Sequence, residues 1–329
     1  MRANHYNLNS EDFRVPAVSV VMPAYNVAGY VATAVESVLA QTFADFELIV
    51  VDDGSTDGTR EILAGFRDPR IRLVTGSHRG LPFPFCDGIA LAQGPYLSFL
   101  DGDDYWSPLK LEHHVRFLEE HPEVDLTFSW SRIVDNQGRD TGLTSRPWNG
   151  PISFSQLLAD NVMGNGSALV CRRKALLEAG GFDTTMPCCQ DVDICLRMAL
   201  LRPGNTCAIS EYLTFYRART GQLSGDIPLM ERTFERMIDK LRAIEPDEVS
   251  RVQELARSNM RRFFAFRSYQ AGRYAEALGR MGRSFASTPV QFLTDLRNWQ
   301  MTAAATAGLL LPSRWHDLLL RAALKANRA

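Results

Sequence analysis

The sequence predicts an α/β fold, a mostly parallel central sheet flanked by helices, followed by a C-terminal helical region. Three observations predict it. From Val18 onward, short apolar β-branched runs alternate with amphipathic stretches, as strand-helix-strand units do. Two of those runs end in carboxylate-rich turns, Asp52-Asp53-Gly54 and Asp101-Gly102-Asp103-Asp104. Beyond about Met230 the β-branched runs stop and long Arg/Ala/Leu/Phe stretches take over. With 329 residues, 45% hydrophobic and 22% charged, the chain is long enough for a sizeable core and a smaller second unit. The expected divisions are an N-terminal extension over 1–16, an α/β unit over 17–229 and a helical region over 230–329.

Val18 to Met22 (VSVVM) is the first expected strand. Val27, Val31, Val35, Val38 and Leu39 then recur as one face of a helix. FELIVV, Phe46 to Val51, gives a second strand, broken by the turn residues of Asp52-Asp53-Gly54-Ser55. A helix is expected over Thr56 to Phe66 and a third strand over Ile71 to Val74. Tyr96 to Leu100 (YLSFL) runs straight into Asp101-Gly102-Asp103-Asp104, so carboxylates stand at the carboxyl ends of two strands, the edge where open parallel sheets bind ligands. Further on, helices are expected over Lys110 to Glu120 and Ile152 to Ala159, and a strand over Val124 to Ser131. Ser167 to Val170 and Arg172 to Gly180 read as strand then helix, closed by Gly180-Gly181.

Composition narrows the class. No apolar run follows Arg2 and no stretch reaches the roughly 18 apolar residues of a spanning helix, which leads to the expectation of a cytoplasmic location. Six cysteines show no paired CxxC spacing, so neither a zinc site nor a disulfide framework is signalled. No nucleic-acid partner is expected. The net charge of −2 hides an asymmetry, since residues 256–329 carry 12 Lys and Arg against Glu276, Asp295 and Asp317. Such a segment meets phosphates or the anionic inner face of a membrane, or else forms solvated arginine faces on surface helices. Trp315 and Leu318 to Leu320 suit an interfacial helix, while Met301 to Pro312 suits a packed core.

Asp101, Asp103 and Asp104 crowd three carboxylates into four positions, and their repulsion is relieved by a cation. Hard oxygen ligands with room for phosphates suit Mg²⁺ or Mn²⁺; the alternative is a solvated acidic turn. Ser55 or Thr56 could serve only as a helix N-cap. Pro23-Ala24-Tyr25-Asn26 replaces the glycine-rich loop of phosphate-binding folds, so a bound diphosphate would need the metal. His113-His114 lacks the partners of a zinc site and reads as a solvated helix face. Gln190-Asp191-Val192-Asp193 reads as a helix start with acids in its first turn.

Taken in order, VSVVMPAYN, FELIVVDDGSTDGT, GPYLSFLDGDDYW, then GGFD and QDVDICLR resemble the inverting family 2 glycosyltransferases, whose fold is called GT-A. The matching pieces cover roughly Val18 to Arg219. The resemblance implies that Pro23, Ala24 and Tyr25 line a nucleoside pocket and that Asp53 accepts a hydrogen bond from the base. It places Asp103 at the ribose and metal, with Asp101 or Asp104 completing the acidic site. Asp191 aligns with the general base, and Arg217 with a basic residue near the diphosphate. The implied reaction, of the kind used in polysaccharide biosynthesis, moves a sugar from a nucleotide-diphosphate sugar, a UDP-sugar first, to a hydroxyl of a glycan, lipid-linked or small acceptor. Two departures bear on the donor: LPFPFCD puts Phe85 and Cys86 where the family often has Arg-Asn, and Gln190 replaces the usual Glu before the base. The rival readings are a sugar nucleotidyltransferase, whose glycine-rich first loop MPAYN is not, and a degenerate GT-A fold kept as a binding or scaffold protein.

Overall fold

The structure is a computed structural model that describes residues 15–219 and 221–311. Most of the 1–16 extension, and Trp315 with Leu318 to Leu320, lie outside the described residues.

The first two apolar runs become strands buried on both faces. β1 (Val18–Ala24) is buried at all seven positions and β2 (Phe46–Asp52) at all but one. They pair in parallel, and β3 (Ile71–Thr75) and β4 (Tyr96–Phe99) extend the parallel set on either side. The crossovers carry α1 (Val31–Leu39), α2 (Thr59–Gly65) and α3 (Phe83–Leu91). α3 forms in the stretch LPFPFCD, where Phe85 stacks on Phe182 at 4.9 Å between ring centroids and meets Phe99 edge-on. The departure at Phe85 thus feeds the core.

Beyond β4 the sheet turns mixed. β5 (Tyr105–Trp106) follows the acidic turn, and α4 (Lys110–Glu120) leads to β6 (Leu126–Val134), β7 (Asp140–Thr144) and β8 (Gly150–Pro151). α5 (Phe154–Ala159), β9 (Leu169–Arg172), α6 (Arg173–Glu178), α7 (Gln190–Leu201) and β10 (Thr206–Arg217) complete the unit. The order β3-β2-β1-β4-β9-β6-β10-β5 places β9 antiparallel between β4 and β6, after which β6 and β10 pair in parallel again, so the path is mostly parallel with β9 and β5 reversed. β7 and β8 are short edge additions on β6 and β10.

α8 (Ile227–Ile244), α9 (Pro246–Gln270), α10 (Tyr274–Ser287), α11 (Pro289–Thr294) and α12 (Leu296–Leu310) follow. The expected boundary at 229/230 falls inside α8, whose Phe234, Met237, Ile238 and Leu241 join the sheet's own core. A small second core of Ala265, Tyr269, Met281 and Phe292 holds α9, α10 and α11 together. The basic excess of this region has a structural use: Arg257 pairs with Glu235 at 2.8 Å, Arg297 with Asp160 at 2.7 Å, and Arg280 with Glu231. No helix among the described residues is long and apolar enough to cross a membrane.

The reading of His113-His114 as a solvated face is corrected for His114, which is fully buried. Its Nδ1 donates to Thr127 Oγ1 at 2.8 Å, because the Thr127 hydroxyl is itself given to the Val170 carbonyl. The other ring nitrogen faces the Nζ of Lys110, also fully buried, which donates to the Ala168 carbonyl at 2.9 Å. No carboxylate pairs with Lys110 among the described residues, and burial holds its ammonium far below the ordinary 10.5. The unfolded chain therefore binds the extra proton below that value, so Lys110 makes stability fall as pH drops from 10.5. Lys110→Met is expected to raise stability by about 1 kcal/mol at pH 7 and to flatten the rise in stability toward alkaline pH, as read by urea denaturation.

Candidate functional site

The loops at the carboxyl ends of β1 and β2 hold each other. Ser55 Oγ accepts from the Asn26 amide at 3.0 Å, and Asn26 Oδ1 accepts from the Thr56 amide at 2.8 Å. Thr59 Oγ1 accepts from the Val27 amide at 2.9 Å and Asp57 from the Ala28 amide at 3.0 Å. Ser55 and Thr56 therefore do not cap a helix; α2 starts later than expected, at Thr59. The run Ser-Thr-Asp-Gly-Thr is a clamp that fixes Pro23-Ala24-Tyr25 over the sheet edge.

Asp53 organises a third loop. Its carboxylate accepts from the Arg79 amide at 2.9 Å and the Gly80 amide at 2.8 Å, and meets His78 Nδ1 at 2.8 Å. The His78 ring then stacks on Tyr25, centroids 3.8 Å apart and planes within 12°. Gly54 is required between them: its φ is +76°, and a Cβ there would stand 2.7 Å from the His78 amide nitrogen.

At the end of β4 the acidic turn divides its carboxylates. Asp104 points inward, accepting from Ser167 Oγ at 2.6 Å and the Arg217 amide at 2.8 Å. Asp103 faces the cavity and pairs with Arg219 Nε at 2.6 Å. Asp101 also faces it; burial first, then Asp103 and Asp191, push its carboxyl up to about 8. Arg217 is buried and donates to the carbonyls of Asp103, Asp135 and Asn136, so it shapes the turn from behind while Arg219 presents the charge.

Asp191 stands in the first turn of α7, half-buried on the same cavity. α7 is held by a buried pair, Arg197 to Asp193 at 2.6 Å, and Lys240 of α8 reaches both Asp193 and Asp183. Arg197 also donates to the carbonyls of Ala179 and Gly181, which explains why GGFD and QDVDICLR travel together. The short turn Gly166–Ala168 joins the two acidic elements: Ser167 holds Asp104 and the Asp101 amide, and Gly166 lies against Asp191. A Cβ at Gly166 would meet Asp191 Cβ at 3.3 Å and Oδ2 at 3.5 Å. Gly166→Ala is expected to displace the carboxylate by a few tenths of an ångström and lower kcat about tenfold with an unchanged circular-dichroism spectrum. Full activity would show that Asp191 does not need that position.

One cavity of about 1160 Å³ brings together Pro23, Ala24, Tyr25, Asp53, Asp101, Asp103 and Asp191. Asp104 and Arg217 are off its wall. Sequence reasoning missed His78, Gly166 and Ser167, and took Arg217 where Arg219 stands. The expectation of a three-carboxylate metal site is corrected on geometry, because Asp104 is spent on Ser167 and Arg217. No three His, Cys, Asp or Glu side chains converge as metal ligands among the described residues. What is left, Asp101 and Asp103, suits a cation held mainly by substrate phosphate and water, as Mg²⁺ and Mn²⁺ commonly are. Asp101's raised carboxyl fits such a role, since acids crowded this way favour a positive neighbour.

Residues 19–179 match the family model described as glycosyl transferase family 2; Asp191 lies beyond that span. Among curated proteins, the chain is similar to a chondroitin synthase of Escherichia coli, 30% identical over 198 residues, covering 58% of this chain and 27% of that protein. It is 34% identical over 154 residues to an uncharacterized glycosyltransferase of Nostoc sp., covering 46% of this chain and 47% of that one. The chain thus spans less than half the length of these curated relatives. Among solved structures it is similar to S. aureus TarS 1–349 in complex with UDP-GlcNAc, with a TM-score of 0.59 at 18% identity, covering 94% and 91% of the two chains. The mannosyltransferase PcManGT from Pyrobaculum calidifontis, in complex with GDP-Man and Mn²⁺, gives a TM-score of 0.55 at 18% identity over 96% and 87%. Residues 19–179 carry the glycosyl transferase family 2 match, and the chain has the GT-A fold of these solved structures.

Proposed function

We propose that this chain is a family 2 glycosyltransferase that moves a sugar from a nucleotide-diphosphate sugar, a UDP-sugar first, to a hydroxyl of a glycan, lipid-linked or small acceptor, with inversion at the anomeric carbon. The observation that carries the reading is the shared cavity, with the Pro23-Ala24-Tyr25 loop and Asp53 at one end of the acidic turn and Asp191 beside it. The nucleoside would rest on the Tyr25 end, where Asp53 keeps the 78–80 loop in place. Arg219 and Arg79, both on the wall, offer positive charge to the diphosphate.

Asp191 would take the proton of the acceptor hydroxyl as that oxygen bonds to the anomeric carbon from the face opposite the leaving group. The carbon-oxygen bond to the diphosphate breaks and the diphosphate leaves with the electron pair. Burial raises Asp191's carboxyl above the ordinary 3.8, which strengthens it as a base. A divalent cation, Mg²⁺ or Mn²⁺, held through Asp103 and Asp101, would supply Lewis-acid stabilisation of the leaving diphosphate. We propose a cytoplasmic side for the reaction. A panel of nucleotide sugars with Mn²⁺ or Mg²⁺, read by release of nucleoside diphosphate, tests this; turnover that survives both Asp191→Asn and Asp103→Ala sinks the mechanism. Release of pyrophosphate from a nucleoside triphosphate and a sugar phosphate would favour a nucleotidyltransferase instead.

A further inference from the structure

The cavity continues past the sheet edge into the C-terminal helices. There its apolar lining is Phe234 and Met237 of α8, Met260, Phe263 and Phe266 of α9, and Met301 of α12, interspersed with Asn259, Gln270 and Gln300. Its volume of about 1160 Å³ exceeds the roughly 300–1,000 Å³ usual for one small ligand. The Phe and Met patches of that wall offer a sugar's hydroxyls nothing to bond, whereas hydrocarbon laid against them is favoured by leaving water.

A charged cluster interrupts this apolar half. Arg146, Arg262 and Arg297, all on the wall, share the carboxylates of Asp160 and Asp295: Arg262 lies 3.0 Å from Asp295, Arg297 lies 2.7 Å from Asp160, and Arg146 also reaches Asp160. Three guanidinium groups sharing two carboxylates give the cluster one net positive charge in a half-enclosed site. Burial, and then Arg297, hold Arg262 below the ordinary arginine range, as they would where an anion is wanted. The opposite face of α12 is apolar and open, with Leu296, Trp299 and Leu310 each about half exposed or more.

We infer that this half of the cavity is the acceptor subsite, built for an amphiphile with a hydrocarbon chain next to one anionic group and delivered from a lipid bilayer. The chain lies along Phe263 and Met260, the anion meets Arg297 and Arg262, and the hydroxyl end points toward Asp191. The outer face of α12 is where the bilayer meets the protein. This assignment rests on the transferase reading above and narrows its acceptor.

Dodecyl phosphate, titrated below its micellar concentration into the full chain by calorimetry, is the test. Saturable one-site binding is expected, abolished by Phe263→Glu and weakened about tenfold by Arg297→Gln, the loss of one charge-assisted hydrogen bond. Inorganic phosphate and dodecyl maltoside, which carry one half of the recognition each, are expected to bind at least about tenfold more weakly. Phosphatidylcholine vesicles doped with dodecyl phosphate should sediment the protein, and Leu296→Ser with Trp299→Ser should release it. Absence of saturable binding, indifference to Phe263→Glu and Arg297→Gln, equal affinity for either half-probe, or sedimentation untouched by the α12 changes overturns the assignment. Titration of the same proteins with UDP separates the two readings: failed UDP binding with intact dodecyl phosphate binding indicts the donor site, and the reverse indicts the acceptor subsite.

Discussion

Asp191→Asn is expected to lower kcat about a thousandfold while changing the affinity for UDP by no more than about twofold, since a positioned base contributes on the order of 10²–10⁴. The amide has the carboxylate's shape, so the contact with Gly166 and the Arg197–Asp193–Lys240 network that fixes α7 stay as they are. Only the ability to take a proton is lost. In the unaltered enzyme the ionised carboxylate is the active form, and burial lifts its titration above the ordinary 3.8. The acid limb of the kcat profile should accordingly rise with pH through a value above that of a free carboxylate, and Asp191→Asn should erase it. A kcat within about fivefold of the original would remove Asp191 from the chemistry.

Asp53→Ala is expected to act on binding. It deletes the acceptor for the Arg79 and Gly80 amides and the partner of His78, all three contacts being 2.9 Å or shorter. Hydrogen bonds to a charged group are worth about 1.5–3 kcal/mol each, part of which water recovers once the loop opens, leaving an expected loss of about 2–3 kcal/mol, or about 30- to 150-fold in UDP affinity. Asp53→Asn, which keeps one carbonyl oxygen, should fall between. Calorimetry with UDP reads the affinity, and amide exchange over residues 76–80 reads the loop. Wild-type affinity alongside a fast-exchanging loop would detach that loop from nucleotide binding.

Much of this site was legible because a few residue patterns each have one cheap structural outcome. VSVVM and FELIVV can only be buried strands, and acids directly after such runs stand at a sheet edge. The pieces that escaped have mixed patterns. TCAISEYLTFYR alternates imperfectly because β10 is broken by register shifts near Tyr212, so its period of two is lost. LPFPFCD carries two prolines and shows no helical periodicity, although α3 accepts a proline in its first turn. Lys110 and His114 sit four apart on the buried stripe of α4, where their polarity disguises a core position. Arg217 and Arg219 look alike in sequence; what separates them is that one ends inside β10 under the acidic turn and the other lies just past it. Asp104 differs from Asp103 only by the inward aim of a tight turn, which no composition records.

The family match stops at Ala179, one residue before the Gly180-Gly181 turn whose carbonyl Arg197 grips. β10, which occupies the middle of the order β6-β10-β5, comes after it, as does α7. The matched segment and the folding unit are therefore different objects. A recombinant piece cut at the edge of the similarity would leave β6 with a bare edge and the acidic turn without the Arg217 amide that Asp104 accepts. Domain exchange between such enzymes should succeed only when the junction falls after β10, which sets a practical limit on how donor and acceptor halves can be recombined.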